Sequence, residues 1–563
     1  MRKYSILTIF FITFYFIASG QSSIANERVA SLCKVWGFLK YYDPTIASGK
    51  LNWDSVFVNN IQQTINCKTN TEFNKILLSI INDAGKTYET KRSKTPDSIN
   101  TFKEVNIEWI TKSTIFNSRI KNKLDYIYNH KNLDSNKYIK IVYNTADFSG
   151  ENNYEDMGFP DIRYRLLFLS RFWNIINYFA PYKYLVGENW DHVLIEFIPR
   201  FLNVTDTVSY YKVWMELAKA LHDGHSQLTL NNQDAIIHDL VFGKYTVPFY
   251  CQIIDGQVVV RKISDDSVCK RAGIKRGDVI LKIDNEPIEK QIQLKRKFIS
   301  ASNKLSENHE LSWYVLYGQT PIVHLTVKRG DRIFTTSIKK ILNSENFQKN
   351  WRNIFNYSNG NSVCKKLDDS TLLIYTARIS AENIDTVKSI MKQLKAVIFD
   401  VRNYPNNDDA LYSLIDLFLS QPKTINYSTV ALPTLPGFFK WKLNPNKIGH
   451  TSDSALKGRV IILCDERTQS QGEYTCMALQ TIPKSITIGT QTAGADGVVT
   501  YIPIGGDLNI SYSGYGVYYP DKTQTQRVGV KIDIIVKKTI DGVSKNKDEI
   551  LERALQYLKS GKE

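Results

Sequence analysis

Val460-Ile461-Ile462-Leu463-Cys464-Asp465-Glu466-Arg467-Thr468-Gln469-Ser470-Gln471-Gly472-Glu473-Tyr474 decides how the second half of this chain folds. A short apolar run, a polar bend and then Cys476, Met477 and Leu479 at helical spacing predict a buried strand, a tight turn and a helix. Ser470 then stands at the first turn of that helix. Unpaired N–H groups at a helix start favour negative charge beside it, which suits a nucleophile whose reaction builds an oxyanion. The same residues also spell a capping box, with Ser470 as N-cap and Glu473 at the third helical position. The stretch alone leaves both readings open.

Around this stretch, residues 365–540 alternate strands and helices. Leu372 to Tyr375, Ala396 to Val401, Val460 to Leu463 and Ser485 to Ile488 read as strands, with helical patterns at Asn383 to Leu394, Asp409 to Leu419 and Glu473 to Gln480. That order implies a sheet covered by helices, with loops from Asp400, Asp465 and Gly489 along one edge. A final amphipathic helix falls within 547–560.

Upstream, residues 244–340 carry short strands broken by Gly and Asp-Asn turns, the mark of a small β-rich module. Residues 21–235 are helical in pattern and contain a repeat, about 29–57 and 166–194. Trp36, Pro44 and Trp53 recur with identical spacing as Trp173, Pro181 and Trp190, so one helix, a proline stop and a second helix are expected twice. These aromatics read as core. A further helix, Tyr211 to Leu221, ends at Asp223-Gly224-His225, which leaves His225 in a turn beyond the helix.

The chain's 563 residues exceed what one core holds, and a multidomain α/β protein is expected. Arg2 and Lys3 precede about a dozen apolar residues and the small residues Ala18-Ser19-Gly20, which reads as a signal peptide over 1–20 and hence an exported product, periplasmic or secreted. No later stretch is long enough to span a bilayer. Seven cysteines without CxxC spacing suggest buried thiols rather than a disulfide framework. His222 and His225 find no third ligand nearby, so no metal is expected, and no cofactor is implied. The formal charge of +16 comes from scattered lysines mixed with acids, which does not point to nucleic acid.

Together these features resemble the tail-specific (C-terminal processing) serine peptidases and their tricorn-core relatives. Ala272-Gly273-Ile274, Arg276-Gly277-Asp278 and Val279 to Ile288 resemble a PDZ domain. Thr468 to Glu473 is similar to the family's nucleophile segment, Asp400 to Pro405 to its oxyanion loop, and Gly529-Val530-Lys531-Ile532-Asp533-Ile534 to its closing strand. The resemblance implies polypeptide substrates, Ser470 as nucleophile, and backbone donors at Gln471 and near Asn406. Where Ser-Lys members have a lysine, this chain has Ala495, so the resemblance points to the histidine-type members with His225 as base. Gln526 stands where tricorn-like members carry a glutamate, and Asp496 competes with it to orient the imidazole. The PDZ resemblance places a C-terminal tail near Tyr245, Thr246 and Val247. The missing lysine, glutamate and loop glycines leave a second expectation, an inactive relative that binds peptides or other ligands in the cell envelope.

Overall fold

The run Val460 to Leu463 becomes the middle of a sheet because equally apolar runs lie on both sides of it. The computed structural model describes residues 24–84, 100–343 except 132, 134, 188 and 232, and 362–561. The expected signal peptide lies outside these residues. Among them the main sheet has the order Cys364–Lys366, Thr371–Tyr375, Ala396–Asp400, Arg459–Cys464, Ile486–Gly489, Ile534–Ile535. Its first strand is an antiparallel edge and every later pairing is parallel.

Parallel neighbours need crossovers, and these supply the helices Ile384–Met391, Asp408–Ile415 and Gln471–Leu479. The closing helix Glu549–Ser560 lays Ile550, Ala554 and Leu558 on Ile398, Ile461 and Leu463. Each large side chain buried there contributes roughly 2 kcal/mol. Because the central strands run parallel, their C-terminal ends gather the loops after Asp400, Cys464 and Gly489 at one edge.

The β-rich module is an antiparallel sheet in the order Arg332–Lys339, Ile322–Arg329, Val279–Ile283, Gln257–Ile263, Phe249–Ile254. Helix Lys304–Tyr314 follows Ser302 and Asn303, and Asn303 caps it by accepting from the N–H groups of Leu305 and Ser306.

The chain divides into two compact units. One joins the described residues up to Val213 with Thr429–Trp441 and Thr500–Tyr515; the other holds Trp214–Ser428, Lys442–Val499 and Gly516–Glu563. The helical region expected over 21–235 therefore recruits chain from much later. Aromatic contacts explain this: Phe102 stacks on Phe439 at 5.6 Å, and Tyr42 Oη donates to Pro436 O at 2.6 Å.

Inside that unit the tryptophan repeat has a concrete meaning. Trp36 Nε1 donates to Trp53 O and Trp53 Nε1 to Trp36 O, both at 2.9 Å. Trp173 and Trp190 repeat the exchange at 2.7 and 3.0 Å. The spacing is the distance at which two helices can lock through reciprocal indole bonds, which satisfies four polar groups in a dry core. Beside the pairs, Lys40, Asp54, Glu151 and Arg171 form a buried ionic cluster. Burial alone would raise the Asp54 carboxyl, but Lys40 and Arg171 hold it well below the usual range. Among the described residues no helix is long and apolar enough to cross a membrane.

Candidate active site

The strand Arg459–Cys464 ends in a bend that its own polar residues build. Thr468 N–H donates to Asp465 O at 2.8 Å, and Thr468 Oγ1 accepts from Asp465 N–H while donating to Val401 O at 3.2 Å. Asp465 is buried, which by itself would raise its carboxyl, yet Arg467 and Lys538 hold it well below the usual range. A similar clamp fixes the neighbouring loop: Arg402, buried, bonds both Asp400 and Asp548.

At the top of this bend Ser470 adopts φ 53° and ψ −120°. A non-glycine residue there costs about 1–3 kcal/mol and persists only when its surroundings impose it. They do so here. Ser470 N–H donates to Ala495 O at 2.9 Å, and Tyr474 N–H donates to Ser470 O at 3.0 Å. The Ser470 side chain makes no capping hydrogen bond. Glu473 accepts instead from Thr492 Oγ1 at 2.6 Å, Gly494 N–H at 2.8 Å and Ala495 N–H at 2.9 Å. Burial pushes its carboxyl up to about 7 against the pull of these donors. Of the two readings of the stretch, the cap geometry is thus lacking at Ser470, and Glu473 braces the turn that grips the serine.

The His225 turn lies beside the serine loop through its neighbour Gly224. The turn follows helix Thr207–Lys219 and is closed by Asp223, whose Oδ1 accepts from His225 N–H at 3.0 Å and whose carbonyl accepts from Ser226 N–H at 2.9 Å. Three contacts hold it, one of them from the serine loop. Gln469 Nε2 donates to Gly224 O at 3.3 Å, Ser302 Oγ accepts from Gly224 N–H at 2.8 Å, and Gly224 lies so close to Ala495 that a Cβ on it would stand 3.1 Å from that alanine's Cβ. Glycine is needed there for the approach itself. His225 is 8% exposed; burial lowers its pKa, and the Asp223 charge opposes that effect.

The segment ahead of helix Lys304–Tyr314 completes the frame. While Ser302 holds Gly224, Asn303 Nδ2 donates to Thr492 O and Ala493 O at 2.7 and 2.9 Å. The sequence gives Asn303 only a helix cap to announce it. Nothing local signals its reach across the fold, or that of Gln469.

The other expected residues fall as follows. Gln471 opens helix Gln471–Leu479, where a first-turn N–H has no partner within the helix, and its side chain donates to Tyr412 Oη at 2.9 Å. Asn406 is exposed in the loop after Asp400, one residue beyond Pro405, whose Cδ lies 4.0 Å from where a Cβ on Gly472 would stand. Pro405, the neighbour of Asn406, thus packs near the start of the helix that Gln471 opens.

Gln526 is buried and precedes Arg527, whose N–H donates to Gly494 O at 2.8 Å. Its Oε1 has no hydrogen-bond partner among the described residues. Asp496 is buried against Glu473: burial and that neighbour push its carboxyl well up, and Oδ1 accepts from Gly497 N–H at 2.7 Å. Its Oδ2 has no hydrogen-bond partner among the described residues.

Tyr245, Thr246 and Val247 do not form an open nest. Tyr245 exchanges both backbone hydrogen bonds with Gly318, Thr246 pairs with Ile341, and Val247 is buried. Along strand Phe249–Ile254, where a peptide strand would add, Ser312 Oγ accepts from Ile253 N–H at 3.1 Å, and the space beside Tyr250, Trp313 and Leu316 is only about 10 Å³. The three residues expected to receive a C-terminal tail are thus engaged in the module's own packing, with little space between strand and helix.

Three comparisons bear on this site. Residues 374–536 match the model of peptidase family S41. A carboxy-terminal-processing protease of Bartonella bacilliformis is 26% identical over 189 residues, 32% of this chain and 41% of that protein, so the match spans less than half of the relative. Mature CPAF complexed with lactacystin superposes with a TM-score of 0.55 at 13% identity, over 71% of this chain and 98% of the other. Mature CPAF alone gives 0.54 at 13% identity, over 70% and 97%. At such identity the structural likeness is one of fold.

Proposed function

We propose that this chain, whose residues 374–536 match the model of peptidase family S41, is an exported serine endopeptidase of that family in which Ser470 is the nucleophile and His225 the base. One observation carries the reading: Ser470 is held at φ 53° at a helix start, in a loop whose preceding residue, Gln469, is bonded to the residue preceding His225.

The chemistry follows from that placement. His225, kept neutral by burial, takes the Ser470 hydroxyl proton as Oγ attacks the peptide carbonyl. The carbonyl oxygen becomes an oxyanion facing the N–H groups of Gln471 and Asn406, each worth on the order of 3 kcal/mol in such a role. Collapse breaks the C–N bond, the imidazolium returns its proton to the leaving amine, and water then hydrolyses the acyl-enzyme by the same proton route. The serine needs no lysine, since the place of one is filled by Ala495, whose carbonyl fixes the Ser470 backbone. The free Oε1 of Gln526 offers an acceptor for an imidazole N–H, which supports a tautomer-fixing role for it. The apolar run at the N-terminus supports export, to the periplasm or beyond.

A fluorophosphonate probe tests the reading. It should label the parent protein at Ser470 and spare both Ser470→Ala and His225→Ala. Equal labelling of parent and Ser470→Ala would end it, and an unlabelled parent would favour a binding protein that retains the fold.

A further inference from the structure

At the far end of helix Gln471–Leu479 from Ser470, the second unit holds a cavity of about 330 Å³ that the chemistry at the serine does not use. Gln480 and Thr481 line it just past the helix C-terminus, so about 15 Å of helix separates it from Ser470. Its walls are fixed by hydrogen bonds. Tyr519 Oη donates to Gln480 Oε1 at 2.7 Å and accepts from Lys531 N–H at 2.9 Å, while Gln480 Nε2 donates to Thr487 Oγ1 and Lys531 O at 2.9 and 2.8 Å. Ile425 and Met477, both buried, give the cavity an apolar side. A pre-formed space of this size, apolar on one side and with a few placed polar groups, suits a small ligand.

The charged side chains around it define which ligand. Three line the cavity: Lys423, Lys531 and Asp533. Lys531 Nζ is paired with Asp521 at 2.9 Å and lies 4.4 Å from the centre of the Tyr519 ring. The half-buried Lys423 has no hydrogen bond or ion pair to its ammonium among the described residues, and Asp533 engages only Oδ2, which accepts from Thr487 N–H at 2.7 Å. Lys423 and Asp533 do not pair with each other, so one small cavity presents a cation and an anion separately. The C-terminal end of the helix beside Gln480 adds a preference for positive charge there.

We propose that this cavity is a binding site for a zwitterionic dipeptide with an apolar C-terminal residue. Its carboxylate bonds to the Lys423 ammonium, its own ammonium to Asp533 Oδ1 near the helix end, and its apolar side chain lies on Ile425 and Met477. Charge-assisted bonds at both ends fix the length of the ligand. A longer peptide sets an uncharged amide opposite Asp533 and leaves that carboxylate unmatched, so the site takes dipeptides rather than the tails of longer chains. Short peptides are products of peptide hydrolysis, but the site does not depend on Ser470 acting as a nucleophile.

Titration calorimetry of the full-length Ser470→Ala protein with alanyl-leucine tests this. Binding should saturate, and acetyl-alanyl-leucine and alanyl-leucinamide, each lacking one charge, should bind about tenfold more weakly or worse. Lys423→Met keeps the length of the side chain and removes its charge; it should abolish the discrimination between alanyl-leucine and its amide. Asp533→Asn keeps an acceptor for Thr487 N–H and should abolish the discrimination between the free and acetylated dipeptides. Both variants should keep the parent melting temperature. Absence of saturable binding by alanyl-leucine overturns the proposal. Equal affinity for it with and without Lys423→Met overturns it as well, because the dipeptide is then held elsewhere on the chain.

Discussion

Gln469 Nε2 donates to Gly224 O at 3.3 Å, so the residue before Ser470 is tied to the residue before His225 across 245 positions of sequence. This bond and the Gly224–Ala495 contact bring the proposed nucleophile and base into one neighbourhood. Gln469→Ala should cut the tie while the Ser302 and Ala495 contacts hold the turn. We expect kcat/KM to fall about tenfold, equivalent to roughly 1.4 kcal/mol, with little change in melting temperature, since a neutral hydrogen bond contributes on the order of 1 kcal/mol. Steady-state kinetics on an unfolded polypeptide, beside a thermal melt, measures both.

Ala495→Lys restores the residue type of the Ser-Lys members and should not restore their chemistry. Ala495 is fully buried, with its Cβ against Gly224. A lysine there must displace the His225 turn or bury an ammonium, at a cost on the order of 3 kcal/mol or more. The variant should melt lower and lose labelling of Ser470 by a fluorophosphonate probe. A stable, fully labelled Ala495→Lys protein would show that the turn has room this packing denies.

The pH profile follows from the burial of His225. Burial lowers its pKa below the ordinary value of about 6.5, with Asp223 opposing. With His225 as the proposed base, the neutral ring is the working form, so protonation sets the acid limb, and a lowered pKa keeps the base available to lower pH. Activity should therefore stay above half its maximum at pH 6.5, and the limb should vanish in His225→Ala together with the activity.

How much of this was legible in the sequence depends on the range of the forces involved. Apolar runs and helical spacing reveal the strands at 396 and 460 and the helix after Ser470 to within a few residues, because each pattern is set by local burial. The positive φ of Ser470 is not written in its residue type; it is imposed by Ala495 and Glu473, more than twenty residues away in one case. Residues 429–441 and 500–515 read as part of the α/β region and yet pack with the helical unit, through aromatic contacts such as Phe102 with Phe439. Asn303 caps its own helix, a local role; its bonds to Thr492 O and Ala493 O exist only once distant segments meet.

The β-rich module should not discriminate between tail ends. Its candidate strand edge is engaged by Ser312, and the space between strand and helix holds about one water molecule's worth of volume. Peptides with free and amidated C-termini should bind the Ser470→Ala full chain alike, as read by fluorescence anisotropy. Preference for free carboxylates that disappears when Thr246 is replaced by Arg would show that helix Lys304–Tyr314 swings away.

The tryptophan pairs should be as important to stability as the ionic cluster beside them. Trp53→Phe removes the indole donor to Trp36 O, a helical carbonyl that the indole bonds in addition to its own backbone partner. The lost hydrogen bond costs about 1 kcal/mol, and the smaller ring adds a packing loss of about 1 kcal/mol. Trp36→Phe should cost a similar amount, because the exchange is symmetric. The two residues share one contact, so the double variant should depart from additivity by roughly 0.5 kcal/mol or more. Urea unfolding followed by far-ultraviolet ellipticity measures this without relying on the tryptophans themselves. If both single variants unfold at the parent midpoint, the reciprocal bonds are incidental to the repeat and its spacing must have another cause.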